Sequence, residues 1–178
     1  RTGERQFIDM ALLDTQVSVL ANQALNYLVG GKAPTRLGNA HPNICPYDTF
    51  ATATDPIFLA VGNDGQYAKM CEHIGAQELV TDPRFVHNKE RSENRVEMKR
   101  LLEAKLAAFD CAPLADALVR KGVPCAPILD VKQALAHEHT AHRDMVVKIG
   151  ESYSGVASPI KLSHTPASYR LAPPKKSR

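Results

Sequence analysis

The sequence predicts an α+β fold, with helices interleaved with short antiparallel strands, and three observations carry that expectation. Two apolar-aromatic runs, Tyr47–Thr52 and Ile57–Val61, are split by Asp55-Pro56, as in a hairpin. Apolar residues then recur at helical spacing across the stretches that end near Phe109 and Gly122. Two further extended runs, Met145–Ile149 and Val156–Ser158, flank the turn Gly150–Gly155. Segregated short strands and helices of this kind define the α+β class over the centre of the chain.

In chain order, Phe7–Leu12 reads as a short strand, and Asp14 is placed to cap the helix that follows. That helix carries Val17, Leu20, Ala21, Ala24, Leu25 and Leu28 at helical spacing and stops at Gly30-Gly31, where glycine accepts the left-handed terminal conformation. A strand and helix this short cannot bury both faces alone, so residues 1–31 read as part of a larger α/β layer. Lys32–Leu37 is a linker, and Gly38–Pro46 is a polar loop leading to the hairpin. Asn63 or Asp64 caps a helix over Gly65–Ile74, with Ala68, Cys71 and Ile74 inward. Thr81–Phe85 is a turn. A long helix starts near Ser92 and runs to about Phe109, with Val96, Leu101, Leu102, Leu106 and Phe109 inward. Pro113 suits the first turn of the next helix, where its missing N–H costs nothing. Cys125–Leu129 is extended, Asp130 caps a helix over Val131–His137, and Pro159–Ser163 is extended again.

Composition narrows the function classes. The 178 residues carry 22 basic and 19 acidic side chains, a net charge of only +3. Part of that excess sits in Lys175-Lys176-Ser177-Arg178, which reads as a solvated tail. No clustered basic face with aromatics marks a nucleic-acid partner. No run reaches the roughly 18–20 apolar residues that cross a membrane. Cys45, Cys71, Cys111 and Cys125 are scattered without a C-x-x-C pair, which fits packing in a reduced, cytoplasmic compartment. A chain that starts at Arg1 reads as a portion of a longer protein.

Several places could carry chemistry. His137, His139 and His142 form H-x-H-x-x-H. Zinc needs three or four converging ligands, and His137 is offset from the other two, so a solvated helix terminus is the favoured reading and no metal is expected. The turn Gly62–Gln66 could bind an anion through free N–H groups or present Asp64 as an acid or base, but capping alone accounts for it. The loop Gly38–Pro46 sets Asn39, His41 and Asn43 between a glycine and two prolines. Its composition suits closure over a ligand and equally suits an ordinary connection. Cys45 and Cys125 adjoin prolines in apolar company, which points to packing and not to a nucleophile.

Several segments together resemble the family III CoA-transferases, the group of formyl-CoA and carnitine-CoA transferases and α-methylacyl-CoA racemases. Arg1–Asp9 resembles the R-T-G-x-G-Q-x-V-D stretch of that family. GNAHPNICPYDTF from Gly38, LAVGNDGQY from Leu59, DPRF from Asp82, N-x-x-R-x-x-N-R ending at Arg95, Gly122–Ile128 and the Met145–Val147 strand follow in order. The resemblance covers residues 1 to about 173 and looks closest to the branch using succinyl-CoA or similar dicarboxyl-CoA donors.

The resemblance implies a Rossmann-like large domain and a small α+β domain, with two chains interlocked as a homodimer. Residues 1–37 would then be a strand, helix and linker of the large domain, 38–150 the small domain, and 151–178 the return toward the large domain. It implies CoA exchange between an acyl-CoA and a carboxylic acid, with the CoA thioester as substrate and no permanently bound cofactor. An aspartate forms an acyl anhydride and then an enzyme thioester; in the family it lies upstream of the R-T-G stretch, so no catalytic residue is expected within this chain. Gly38, Asn39, His41, Asn43 and Asp64 would contact substrate. The sequence departs from the pattern at Arg5, usually glycine, and in its final stretch. Ala40-His41-Pro42-Asn43 replaces a run of glycines, and proline stiffens what glycine would free. The racemases place a glutamate near the Gly62–Gln66 turn; its absence here weighs against racemisation. An isolated assembly domain without catalysis is the alternative outside enzymology.

Overall fold

The computed structural model describes residues 3–151 and 153–174; Arg1-Thr2 of the first motif and the Lys175–Arg178 tail lie outside them. The chain divides into two compact units, with the boundary between Asn43 and Ile44.

In the first unit, helix α1 spans Leu12–Val19 and α2 spans Ala21–Gly30. No strand forms over Phe7–Leu12, because the described residues offer it no partner strand and an isolated strand leaves its backbone groups unpaired. The helix instead starts at Leu12 after Ala11, and Asp14 falls inside the first turn without a capping bond. There its charge still complements the helix dipole. The single helix expected through Leu28 is broken at Ala21, whose φ of 37° lies in the left-handed region that costs a residue with a Cβ about 1–2 kcal/mol. Gly31 closes α2 in the left-handed conformation, as its sequence position predicts. Neither helix buries a residue, and Phe7, Leu12, Val17 and Leu28 all stand exposed.

The second unit is built on a three-stranded antiparallel sheet, β1 (Tyr47–Phe50), β2 (Ile57–Ala60) and β3 (Cys125–Pro127), with β2 central. The hairpin register pairs Tyr47 with Ala60 and Phe50 with Ile57. Alternation along β2 sends Ile57 and Leu59 into the core, where both are fully buried. On the other face Tyr47 and Phe58 meet edge to face at 5.5 Å between ring centroids. The hairpin turn is tied down by a bond from Ala53 N to Phe109 O and another from Cys111 N to Thr54 Oγ1.

Helices supply the rest of the core. Helix α3 (Asp64–His73) buries Cys71, with Ile74 just past its end, as predicted, and adds Tyr67 and Met70 to that face, while Ala68 is only half-buried. A short α4 (Glu78–Thr81) leads to the Asp82–Phe85 turn. The long helix expected from Ser92 begins earlier and in two pieces, α5 (Asn88–Glu93) and α6 (Arg95–Leu106), with Asn94 at the break. Within α6, Leu102 and Leu106 point inward as predicted and Met98 joins them, whereas Val96, six residues before Leu102 and so about 240° round the same helix, is 82% exposed instead of buried. Helix α7 (Cys111–Arg120) holds Pro113 in its first turn and buries Leu114 and Leu118. Helix α8 (Val131–Ala136) starts with a full capping box, Asp130 accepting from Gln133 N while the Gln133 side chain accepts from Asp130 N. After α9 (Glu138–His142), a separate two-stranded hairpin pairs β4 (Val146–Ile149) with β5 (Tyr153–Val156). The second strand thus begins before the predicted Val156. The run over 159–163 carries no strand.

Candidate functional site

The polar loop between Lys32 and Asn43 folds back on α2 within the first unit. Ala40 N donates to Leu37 O at 3.2 Å, and Gly38 inside this turn has a φ of 65°, a conformation glycine takes without Cβ strain. Asn43 N donates to His41 Nδ1 at 3.1 Å, so a neutral His41 carries its proton on Nε2. The Asn43 amide donates to Asn26 Oδ1 on α2 at 3.0 Å. Between α2 and the loop lies an open cleft of about 410 Å³, lined by Gln23, Asn26, Lys32, Thr35, Pro42 and Asn43 among others. One ammonium among amide and hydroxyl groups suits an oxygen-rich anionic ligand. The lining offers no carboxylate or thiol nucleophile. Of the residues singled out from the sequence, Asn43 lines this cleft, while Gly38, Asn39 and His41 lie on the same loop.

Asp64 stands elsewhere, at the first turn of α3 in the second unit. Asn63 is the cap, its Oδ1 accepting from Gln66 N at 2.9 Å, while Gln66 Oε1 accepts from Gly62 N at 2.8 Å. Those two N–H groups of the turn are therefore occupied by side chains. The Asp64 carboxylate, freed from capping, is bonded by Arg91 Nη2 on one oxygen and faces His87 Nδ1 at 3.3 Å on the other. The Arg91 hydrogen bond above all, with that of His87, holds its carboxyl below the usual range. Asp64 is thus ionised at neutral pH, the opposite of a general acid poised near neutrality.

Arg91 is the buried hub of the second unit, 1% exposed. Its Nε donates to Cys45 O at 2.8 Å, Nη1 donates to Phe85 O and Val86 O at 3.1 Å each, and the guanidinium lies 4.5 Å over the Tyr67 ring. Asn88, three residues earlier, accepts from Cys45 N at 3.0 Å. Sequence reasoning did not assign roles to these two residues. The signal was the N-x-x-R spacing, which puts both side chains on one face of a helix. Lys32, Asn26 and Gln23 were also missed, since the cleft they line depends on how the loop folds back.

The remaining candidates are placed as follows. His137 caps α9, its Nδ1 accepting from His139 N, and the His139 and His142 rings lie 6.2 Å apart. Among the described residues no group of three or more His, Cys, Asp or Glu side chains could hold a metal ion. All four cysteines are free. Burial pushes the Cys71 and Cys125 thiols up to about 11 and raises Cys45 and Cys111 as well. They are protonated, poor nucleophiles at neutral pH. No helix among the described residues is long and apolar enough to cross a membrane.

The pattern of CoA-transferase family III matches residues 1–177, and the chain belongs to that family. It is 40% identical over 98% of its length to a succinate–glutarate CoA-transferase of Agrobacterium fabrum, covering 45% of that protein. It is 38% identical over 92% of its length to an acetyl-CoA:oxalate CoA-transferase of Acetobacter aceti, covering 42% of it. The crystal structure of a CAIB/BAIF family protein from Brucella suis matches with a TM-score of 0.75 and 41% identity, over 93% of this chain and 43% of that one. A Mycobacterium tuberculosis structure at 23% identity and a TM-score of 0.74, over 89% of this chain and 41% of its own, shares the fold. The chain thus spans less than half the length of these relatives.

Proposed function

We propose that this chain is the C-terminal portion of an enzyme that moves CoA from an acyl-CoA, with succinyl-CoA the favoured donor, to a carboxylic acid. The observation that carries this reading is the 40% identity, across 98% of the chain, to a relative named for succinate and glutarate. Relatives named as succinyl-CoA:mesaconate and succinyl-CoA:glutarate transferases point the same way. Their names favour transfer over racemisation.

In this reading the aspartyl nucleophile comes from residues outside 1–178. Attack on the donor thioester gives an acyl anhydride, the enzyme thioester follows, and the acceptor acid completes the exchange. Residues 1–37 pack in the large domain, which the exposed apolar side chains of α1 and α2 support. Residues 38–150 form the small domain, and 151–178 return toward the large one in a cytoplasmic homodimer. The loop carrying Gly38, Asn39, His41 and Asn43 faces substrate, with Asp64 a further contact. The Lys32 and amide groups of the cleft suit the carboxylate of a diacid.

The test is a transferase assay of the full-length protein with succinyl-CoA and a panel of acids. Formation of the acceptor thioester with release of succinate supports the reading. Loss of the α-proton of a 2-methylacyl-CoA without transfer would replace it with racemisation. The same assay on residues 1–178 alone should give no turnover.

A further inference from the structure

Asp64 and His87 each stand at the start of a helix in the second unit, and neither side chain caps it. Asn63 caps α3, and His87, at the N-cap position of α5, makes no side-chain capping bond. The two side chains turn toward each other instead, with His87 Nδ1 3.3 Å from Asp64 Oδ2. Asp64 is ionised, since the hydrogen bonds of Arg91 and His87 hold its carboxyl below the usual range, and a carboxylate can only accept. The hydrogen between the two groups therefore sits on Nδ1. A neutral His87 then carries a bare lone pair on Nε2, and among the described residues nothing bonds that nitrogen. The other Asp64 oxygen is bonded by Arg91, so a chain of guanidinium, carboxylate and imidazole runs from a side chain 1% exposed to one 69% exposed. An ion pair at such exposure adds little to stability. What the chain does achieve is a fixed ring plane and a fixed tautomer.

The result is a surface of acceptors: the Nε2 lone pair beside the half-exposed Asp64 carboxylate. It suits a ligand that brings N–H or O–H groups. The acids of a CoA transfer are ionised near neutral pH and offer only acceptors. The CoA moiety offers the amide N–H groups and the hydroxyl of its pantetheine arm. We propose that His87 binds the CoA thioester, its Nε2 accepting from an N–H or O–H of the pantetheine arm, and that Asp64 is the positioning residue that fixes the ring. This role rests on the reading of the intact protein as a CoA-transferase with Asp64 facing substrate.

The test is calorimetric titration of the full-length protein with CoA and, separately, with adenosine 3′,5′-bisphosphate, which lacks the pantetheine arm. His87→Asn keeps an amide near the Nδ1 position and leaves no atom at Nε2, whereas His87→Gln carries a carbonyl acceptor out to the Nε2 position. His87→Asn should weaken CoA binding about threefold to tenfold, the value of one neutral hydrogen bond, and leave the bisphosphate unaffected. His87→Gln should recover most of that loss. Asp64→Ala, which frees the ring, should weaken CoA binding in the same sense, again without effect on the bisphosphate. CoA bound by His87→Asn as tightly as by wild type overturns the proposal, as does an equal loss for CoA and the bisphosphate. Wild-type CoA affinity in Asp64→Ala overturns the positioning role. A wild-type protein that binds CoA but transfers nothing ends the transferase reading and leaves His87 to be judged by the binding data; one that binds no CoA overturns both.

Discussion

Replacing Arg91 by leucine separates two accounts of what this buried cation contributes. If the ion pair to Asp64 were the source of stability, losing either partner would cost about the same. The Asp64 side chain is 53% exposed, however, and its own loss leaves a guanidinium still bonded to three carbonyls. An exposed partner makes the pair worth about 0–1 kcal/mol. Removing Arg91 instead strips the donor from Cys45 O and Phe85 O, both in buried bonds. Each orphaned buried acceptor costs about 1–3 kcal/mol, and the lost contact over Tyr67 adds about 0.5–2 kcal/mol. Leucine recovers part of this by removing the desolvation cost of the charge. Arg91→Leu should therefore destabilise by about 3–5 kcal/mol, and Asp64→Ala by less than about 1 kcal/mol. Urea unfolding followed by far-ultraviolet circular dichroism measures both. Equal losses for the two variants, or Arg91→Leu within about 1 kcal/mol of wild type, would refute the reasoning.

Leu102→Ala should cost about 2–5 kcal/mol in the same unfolding experiment, since Leu102 is fully buried, while Val96→Ala should stay within about 0.5 kcal/mol. Asn63→Ala removes the cap of α3 and should cost about 1 kcal/mol, with Asn63→Asp near neutral. Because the folded Asp64 pKa is depressed by Arg91, its contribution is present above the unfolded carboxylate range near about 4 and is lost as pH falls through the folded pKa. Stability measured from pH 7 downward should thus fall more steeply in wild type than in Asp64→Asn, with a smaller difference in high salt.

What the sequence revealed was mostly local. The β1–β2 hairpin was readable because alternation in Ile57–Ala60 and the Asp55-Pro56 break act within a few residues. Asp130 as a cap, and Gly31 and Gly122 at left-handed helix ends, follow from backbone geometry alone. Errors arose in helical phase and where partners were non-local. Tyr67 joins the inward face of α3 at helical spacing from Met70, Cys71 and Ile74, and its hydroxyl, which donates to Leu79 O, needs the fold to find that acceptor. Val96 was misplaced because, within α6 itself, it lies on a different face from Leu102 and Leu106. The strand expected at Phe7–Leu12 failed for want of a neighbour. The Gly38–Pro46 stretch was visible as a polar loop from its composition, whereas the bonds of Asn88 and Arg91 to Cys45 span more than forty residues and need the fold.

Under the proposed function, the full-length protein should transfer CoA between acids. The most direct measurement incubates it with succinyl-CoA and free glutarate and follows the thioesters by mass spectrometry. The account predicts glutaryl-CoA appearing in step with free succinate, without net hydrolysis. Hydrolysis alone, or no new thioester with glutarate or any other acid of the panel, would contradict it.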